Sequence, residues 1–457
     1  MSKSLYASGA LALALLSPSV HAASDADLDE IRAQIRELKA SYEARIQALE
    51  QRLKDAEAKA AQSSAAPVAP PAMAAAPEPA SMPAGGGSAP SSLAAFNPAV
   101  SAVLQGRYAN LSQSPSNFAI AGFAPGGDIG PGRRGFSLAE SELALSANVD
   151  HKFAGNLIFS LSPDNTVSVE EAYGIFTAAP YGIVPKVGRF FSGIGYQNEQ
   201  HQHAWDFIDA PLAYQAFLGG QYSQDGMQVK WVAPIDHYVE LGAEIGNGDA
   251  FPGTPRDKNG VGSSAVYVHT GGDIGDSHSW RAGLSYLATR AEARPFSTDP
   301  TDDTSFTGRS RLAIADFVWK WSPNGNPRER NFKLQGEYLR RTEKGDTTSA
   351  SLPIGDTSYS SRQSGWDLQG IYQFMPMWRV GARYDRLDPG SVDTGVPGLA
   401  SSGFAPKRSS VMLDWSPSEF SRVRLQLAQS KTQPGITDNE LFVQYILSLG
   451  AHGAHKY

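Results

Sequence analysis

The chain has 457 residues, no cysteine, 10% aromatic residues and a formal net charge of −7. The lack of cysteine excludes disulfide bridges, thiolate metal sites and cysteine nucleophiles, and the mild acidity without a basic stripe argues against a nucleic-acid partner. The length allows two or three ordinary domains, or one large barrel with appendages.

Residues 1–22 are predicted to be a signal peptide. Lys3 precedes an apolar run from Leu5 to Leu16, and Val20-His21-Ala22 is typical of a cleavage site. We therefore expect export, with a mature chain that starts at residue 23. No other run approaches the roughly 18 apolar residues of a membrane-spanning helix, which leaves a periplasmic protein, a secreted protein or an outer-membrane barrel.

Residues 23–62 are predicted to form a periplasmic coiled-coil helix. Ser24 can cap its first turn, and Asp25 and Asp27 lie at the positive end of the helix dipole. Apolar residues then recur at mostly alternating steps of three and four, with one irregular step at Tyr42. A lone amphipathic helix lying on the barrel is the alternative, but the apolar stripe is narrow. The coiled coil implies an oligomer, and a homotrimer is expected.

Residues 63–95 are predicted to be a linker, because the stretch up to Ser92 contains almost only Ala, Pro, Ser and Gly.

From residue 96 to residue 457 the sequence changes to short runs of alternating polar and apolar residues, which predict an all-β transmembrane barrel of about sixteen antiparallel strands. The strands are expected near residues 99–108, 136–149, 153–161, 167–178, 184–191, 227–232, 238–246, 263–271, 279–290, 310–321, 332–342, 362–373, 378–387, 407–416, 421–430 and 439–450.

Connection lengths and tryptophan positions favour a barrel in the outer membrane. Short connections mostly alternate with long ones, and the 162–166 link is short where a long one is expected. Five tryptophans lie beside short connections, and the alternation along each strand places the tryptophan on the same face as apolar residues of that strand. This is the arrangement of an aromatic girdle at a lipid interface. These are Trp231, Trp280, Trp321, Trp378 and Trp415. Outer-membrane lipid is therefore an expected partner.

The connection at residues 192–226 is too long for a hairpin turn and carries apolar residues such as Trp205 and Phe217 that need a packing surface. Long ordered loops are usually functional, so we expect this one to fold into the barrel lumen and narrow it. The predicted constriction consists of Glu199, His201, His203, Asp206 and Asp209 from the loop, with Lys333, Arg379, Arg383, Arg422 and Arg424 from the wall.

The five basic wall residues are expected to form one side of the pore, with Glu199, Asp206 and Asp209 opposite or near it. Arg422 and Arg424 have no acidic residue on the inward face of their own strand, which makes them candidates for contact with anions. The alternative is an ion-pair network that only stiffens the wall.

Glu199, His201 and His203 are also a candidate metal site. In an extended segment the three side chains share a face, and imidazole and carboxylate ligands suit zinc. No third histidine follows at a characteristic spacing, although His452 and His455 lie near the end of the chain. A pore-lining or loop-anchoring role is the alternative. No resident cofactor is expected, and the metal that could bind at this site is zinc.

Enzymatic activity is not expected, because no G-x-S-x-G, H-E-x-x-H or P-loop pattern occurs.

The segments GRFFSGIGYQNEQHQHAWDFIDAPLAYQAFLGGQYSQDGMQVKWVAP and SLGAHGAHKY resemble outer-membrane porins related to phosphate-selective porins and DcaP-type dicarboxylate porins. That resemblance implies a trimeric coiled coil before a sixteen-stranded barrel. Similar sequences are often labelled zinc-regulated TonB-dependent receptors, but a plugged receptor has about 22 strands.

Together these patterns predict an outer-membrane porin of a Gram-negative cell, a passive diffusion channel for small solutes, with carboxylates or phosphate preferred. The competing hypothesis is a zinc-linked uptake receptor that binds metal through residues 199–203.

Overall fold

The computed structural model describes residues 99–297, 303–349, 357–395 and 403–450. The predicted signal peptide at 1–22, coiled coil at 23–62 and linker at 63–95 lie outside the described residues, as do His452, His455 and the C-terminal Tyr457. Within the described ranges, no helix is long and apolar enough to cross a membrane.

Strands make up most of the described chain, with one α-helix. The strands are β1 (Ala99–Leu111), β2 (Gly135–Leu138), β3 (Ser141–Asn148), β4 (Phe153–Leu161), β5 (Val167–Phe176), β6 (Ile183–Phe191), β7 (Ser223–Val232), β8 (Tyr238–Gly246), β9 (Ser263–Ile274), β10 (His278–Pro295), β11 (Ser305–Trp321), β12 (Asn331–Thr348), β13 (Thr357–Met375), β14 (Trp378–Asp393), β15 (Lys407–Ser418), β16 (Ser421–Lys431) and β17 (Asp438–Gly450). The helix α1 spans Leu212–Leu218, and 3-10 turns occupy Pro115–Asn117, Pro180–Gly182, Gln202–Ala204 and Pro323–Gly325.

The sheet closes on itself, because β1 pairs with β17 from Ser101↔Gly450 to Leu111↔Glu440. On its other side β1 pairs with both β2 and β3, so these two segments form one wall strand interrupted at residues 139–140. The result is a closed antiparallel barrel of sixteen wall strands. Closure leaves no unpaired sheet edge. The predicted number and sequence positions of the strands are confirmed.

The strand ends differ from the prediction at one end of the barrel. β12 runs to Thr348 rather than 342, and β13 starts at Thr357 rather than 362. The added part of β12 contains Lys344 and Asp346 on one face and Thr347 on the other. Because polar side chains then occupy both faces, the apolar–polar alternation that reveals a strand is lost there.

Connections are mostly short at one end of the barrel and longer at the other. Residues 376–377 join β13 to β14 at the short end, whereas residues 247–262 join β8 to β9 at the long end. The 162–166 link between β4 and β5 is the expected short exception at the long end. The predicted rhythm is confirmed.

The outer face of the barrel is apolar and the inner face is polar. On β10, Leu284 and Tyr286 are exposed while Ser285 and Leu287, which alternate with them, are buried. Exposed apolar residues recur in this way around the barrel, among them Val229, Leu241, Val266, Phe317, Leu368, Val380, Val411, Leu425 and Val443. Trp378 and Trp415 stack with ring centroids 6.1 Å apart beside the short connections, as the girdle predicts.

Candidate functional site

The long connection between β6 and β7 folds into the lumen, as expected. We call residues 192–222 the inner loop; it is shorter than the predicted 192–226 because Ser223–Gly226 already pair with β6. All seven residues of α1 are buried. Six of them, all except Gln215, form the main hydrophobic cluster of the described chain together with wall residues such as Leu312 and Leu339. The centre of the barrel is therefore filled by protein.

Wall side chains bind the backbone of the inner loop, because a buried loop carries N–H groups that water cannot reach. Glu337 of β12 accepts hydrogen bonds from Gln197 N at 2.8 Å, Tyr196 N at 3.3 Å and the Tyr214 hydroxyl at 2.7 Å. Asp385 accepts one from Leu212 N at 3.0 Å. These carboxylates hold the loop in place. They were not predicted as site residues, although the alternation along their strands places both side chains on the luminal face.

The neck of the inner loop is fastened to β8. Glu244 accepts hydrogen bonds from the Ser192 hydroxyl at 2.6 Å and from Gly193 N at 2.8 Å. Asn198 Nδ2 donates to the carbonyls of Ser192 and Tyr222, which closes the base of the loop. The loop is therefore attached to the wall at its two ends and along its length.

Asp206 of the inner loop lies against Lys333 and Arg379 of the basic wall. Its carboxylate is 2.5 Å from Lys333 Nζ and 3.1 Å from Arg379 Nη1. Burial would raise the pKa of Asp206, but the charges of Lys333 and Arg379 outweigh it and hold that pKa well below its ordinary value. Asp206 is therefore a fixed negative charge that partly neutralises the wall.

Asp209 makes a second contact with the same wall. Its carboxylate is 2.9 Å from Arg383 Nη2 and 2.5 Å from Arg408 Nη1, and it accepts a hydrogen bond from Gln426 Nε2. Burial opposes ionisation, yet the two guanidinium groups lower the pKa of Asp209. Arg408 was not among the predicted site residues. It lies an even number of residues from the inward-facing Asp414 on β15, and this alternation would have identified it as a luminal residue.

Arg422 and Arg424 have no acidic residue on the inward face of their own strand, but they do have an acidic neighbour across the sheet. The neighbouring strand β15 supplies Asp414, which Arg424 binds through Nε at 2.8 Å and Nη2 at 3.0 Å. The prediction considered each strand alone and so missed this cross-strand pair. Arg422 is held more loosely, with Nε 3.9 Å from Asp414, and neither its Nε nor its Nη1 makes a hydrogen bond.

The predicted metal trio of Glu199, His201 and His203 is wrong. It required an extended backbone, but a 3-10 turn at Gln202–Ala204 breaks the alternation. Glu199 instead contacts Lys230 of β7, which is not one of the five residues of the basic wall. His201 and His203 stack with ring centroids 5.7 Å apart. The uptake-receptor hypothesis loses its predicted ligand set.

His201 and His203 meet carboxylates of the opposite wall. His203 Nδ1 lies 2.7 Å from Glu142 Oε1. His201 lies 3.3 Å from Glu142, 3.4 Å from Glu170 and 3.1 Å from Glu171. Burial would lower the pKa of His201, but its contacts with these carboxylates raise it well above the ordinary value. The inner loop therefore bridges an acidic wall on β3 and β5 and a basic wall on β12 to β16.

Two cavities lie beside the inner loop. The first, of about 590 Å³, borders the long connections and is lined by residues including Asp128, Glu140, Glu170, Gln202 and Asp249. The second, of about 500 Å³, lies toward the short connections and is lined by residues including Tyr196, Lys230, Glu240, Arg281 and Lys320. Charged side chains line both of them, which suits small polar solutes better than apolar ones.

A further ion-pair cluster lies toward the long connections. Arg294 binds Glu343 through Nη1 at 2.8 Å and Nη2 at 2.9 Å, and Arg341 Nε lies 3.7 Å from the same carboxylate. Arg341 also donates to the carbonyl of Ala216 in α1. Arg294 and Glu343 lie where β10 and β12 extend beyond their predicted ends, so the strand pattern did not indicate this cluster.

Comparison with solved structures finds distant matches among outer-membrane proteins. The outer membrane channel DcaP of Acinetobacter baumannii matches at 12% identity and a TM-score of 0.49, covering 77% of this chain and 96% of that one. An anion-selective porin from Comamonas acidovorans matches at 10% identity and a TM-score of 0.49, covering 77% and 97%. Likenesses this distant identify neither a function nor a family, so the resemblance to DcaP-type porins stays a prediction.

Sequence comparison gives a nearer relative. No family model matches the chain. An uncharacterized protein of Aquifex aeolicus (strain VF5) is 32% identical over 348 residues, which cover 71% of this chain and 71% of the relative. The chain belongs to the same protein family as this uncharacterized Aquifex aeolicus protein.

Proposed function

We propose that the protein is an outer-membrane channel through which small solutes diffuse passively. The observation that carries the proposal is the inside-out distribution of side chains on a closed sixteen-stranded barrel. Exposed apolar residues such as Val266, Leu284 and Val380 cover the outside, whereas Gln335, Asp367 and Gln369 point inward. Lipid-facing apolar residues around a polar lumen are the arrangement of membrane barrels.

The inner loop supports a restriction to small solutes. It fills the middle of the lumen, and the cavities beside it have volumes of about 590 and 500 Å³. Its hydrogen bonds to Glu337, Asp385 and Glu244 fix its position. A loop held in this way acts as a rigid constriction, so solutes larger than small organic acids are excluded.

The basic wall supports a preference for anions. Toward the short connections, the described residues of β11 to β16 place five cations around two carboxylates, Asp206 and Asp414. Four of the five belong to the predicted basic wall, namely Lys333, Arg379, Arg422 and Arg424, and the fifth is Lys320 of β11, which pairs with Lys333 across the sheet. Charges inside a narrow lumen are only partly screened by salt, since the Debye length is about 8 Å at physiological ionic strength. Small carboxylates or phosphate are the proposed solutes.

The assembly proposed here is a homotrimer in the outer membrane of a Gram-negative cell, with the predicted coiled coil of residues 23–62 in the periplasm. The heptad-like spacing of that segment supports self-association. Transport needs no resident cofactor and no chemical step.

Liposome swelling tests the proposal. Liposomes that contain the purified protein should swell in isosmotic salts of small dicarboxylates, more slowly in small cationic amines of similar size, and not in large oligosaccharides. Equal rates for the anions and the amines would remove the anion preference, and no swelling with any small solute would contradict the channel itself.

A further inference from the structure

A cluster of glutamates and histidines lies where the inner loop meets the wall at β3 and β5. Glu142 comes from β3, Glu170 and Glu171 come from β5, and His201 and His203 come from the loop. Adjacent residues of a strand normally point to opposite faces of the sheet. Glu170 and Glu171 nevertheless both contact His201, so one of them departs from this alternation.

A β-bulge explains how both glutamates face the lumen. β4 pairs Ile158 with Glu171 and Phe159 with Val169, which leaves Glu170 as the extra residue. Bulges re-aim side chains and are frequent beside functional sites. The Glu170 side chain is only 9% exposed, and its Oε2 makes no hydrogen bond although the atom is buried. The strand is thus irregular at the point where it adds a second buried carboxylate to the cluster.

Three ligand atoms converge in this cluster. One carboxylate oxygen each from Glu142 and Glu170 and one ring nitrogen of His201 all lie within 4.8 Å of one another. The ring nitrogen that faces both carboxylates is Nδ1, which makes no hydrogen bond in the protein. The other ring nitrogen, Nε2, lies 3.1 Å from Glu171 Oε2. A carboxylate on the far nitrogen is the arrangement that orients a metal-binding imidazole.

The neighbouring groups hold these side chains in position. Glu171 also accepts a hydrogen bond from Phe191 N at 3.0 Å, which fixes its carboxylate between the strand and the ring of His201. His203 Nδ1 lies 2.7 Å from Glu142 Oε1, so Glu142 is oriented as well. Supporting contacts of this kind are what distinguishes a built metal site from a chance group of acidic residues.

The charge balance of the cluster favours a cation. Glu140 lies close enough to Glu142 and Glu170 to interact electrostatically with both, so four carboxylates share the site. The cluster thus holds four carboxyl groups, Glu140, Glu142, Glu170 and Glu171, around two imidazole rings. Glu140 and Glu170 line the 590 Å³ cavity that borders the long connections, which gives an ion a route from that end.

We propose that Glu142, Glu170 and His201 bind a divalent transition-metal ion such as zinc, which fastens the inner loop to β3 and β5. One imidazole nitrogen and two carboxylate oxygens suit zinc and leave a position for water. Calcium and magnesium take six or more ligands that are nearly all oxygen. This ligand set shares only His201 with the trio expected from the sequence, and the proposal does not depend on solute transport.

Calorimetric titration of zinc into the chelator-treated full-length protein tests the site. The wild type should bind about one zinc ion per chain, and an excess of magnesium should not displace it. Glu170→Gln should weaken zinc binding at least tenfold, since losing even a supporting partner of a ligand costs about 10- to 100-fold in metal affinity. This variant keeps the side-chain size and removes an oxygen that makes no hydrogen bond.

Glu199→Gln is the matched control, because it makes the same chemical change at a glutamate of the inner loop that contacts Lys230 instead. It should bind zinc as the wild type does. X-ray absorption at the zinc edge of the wild type gives a second readout, with mixed nitrogen and oxygen ligands expected. Failure of the wild type to bind zinc, equal zinc affinity in Glu170→Gln and the wild type, or an oxygen-only ligand shell would overturn the proposal.

Discussion

Two arginines on one strand show how local partners decide the role of a charge. Arg422 and Arg424 both face the lumen from β16, one alternation apart. Arg424 is 1% exposed and bound to Asp414, which is fully buried. Arg422 is 25% exposed and only loosely associated with the same carboxylate. Arg424 therefore belongs to the structure of the wall, whereas Arg422 offers positive charge to a passing solute.

Arg422→Ala should shift the zero-current potential in a salt gradient toward cations and leave the barrel as stable as the wild type. The reason is that the substitution removes a luminal charge without stranding a buried partner. Arg290→Ala is the matched control, since it removes the same charge from an exposed position on the outer face of β10. If both variants shift the potential equally, Arg422 does not lie in the conduction path.

Arg424→Ala should behave differently and lower the free energy of unfolding by about 3 kcal/mol. The substitution removes one partner of a buried ion pair and leaves Arg379 as the principal ion-pair partner of the Asp414 carboxylate. Urea unfolding in detergent, followed by tryptophan fluorescence, measures the difference. Stability equal to that of Arg422→Ala would show that the Asp414–Arg424 pair contributes little.

At the scale of elements, alternation along the chain predicted the strands and the entry of the inner loop into the lumen. It did not predict the contacts across the lumen, because these depend on which wall strands face each other after closure. Asp206 and Asp209 contact residues of the basic wall, whereas Glu199 contacts Lys230 of β7. The turn at Gln202–Ala204 separates Glu199 from the histidines, and neither residue composition nor spacing indicates that turn.

The carboxylate of Glu337 should control the mobility of the inner loop. Glu337→Ala leaves Tyr196 N, Gln197 N and the Tyr214 hydroxyl without their acceptor, and each unsatisfied buried group costs about 1–3 kcal/mol. Hydrogen exchange measured by mass spectrometry should therefore rise in residues 195–218 and stay unchanged in β10 and β11. Unchanged exchange in the loop would contradict its attachment through Glu337.

Removing the inner loop should widen the channel. A variant in which a short Gly-Ser link replaces residues 196–219 keeps Ser192 and Gly193 on Glu244 and leaves every wall strand intact. Liposomes with this variant should admit oligosaccharides that the wild type excludes. A size limit identical to that of the wild type would show that the loop is not the constriction.

At the scale of the molecule, the described strands account for closure of the barrel, since β1 begins at Ala99 and pairs on both sides. The predicted coiled coil and linker are thus expected to set the oligomeric state or the reach into the periplasm rather than the solute path. Deleting residues 23–92 should leave the conductance of the inserted protein largely intact. An inserted but non-conducting deletion variant would make the N-terminal segment part of the path.

The central claim is that this barrel conducts ions past a fixed inner loop and a basic wall. Single-channel recording of the purified full-length protein in planar lipid bilayers tests it most directly. We predict stepwise conductance increments and, in a potassium chloride gradient, a zero-current potential with the sign of chloride preference. Inserted protein that gives no conductance, or a potential with the sign of potassium preference, would contradict this account.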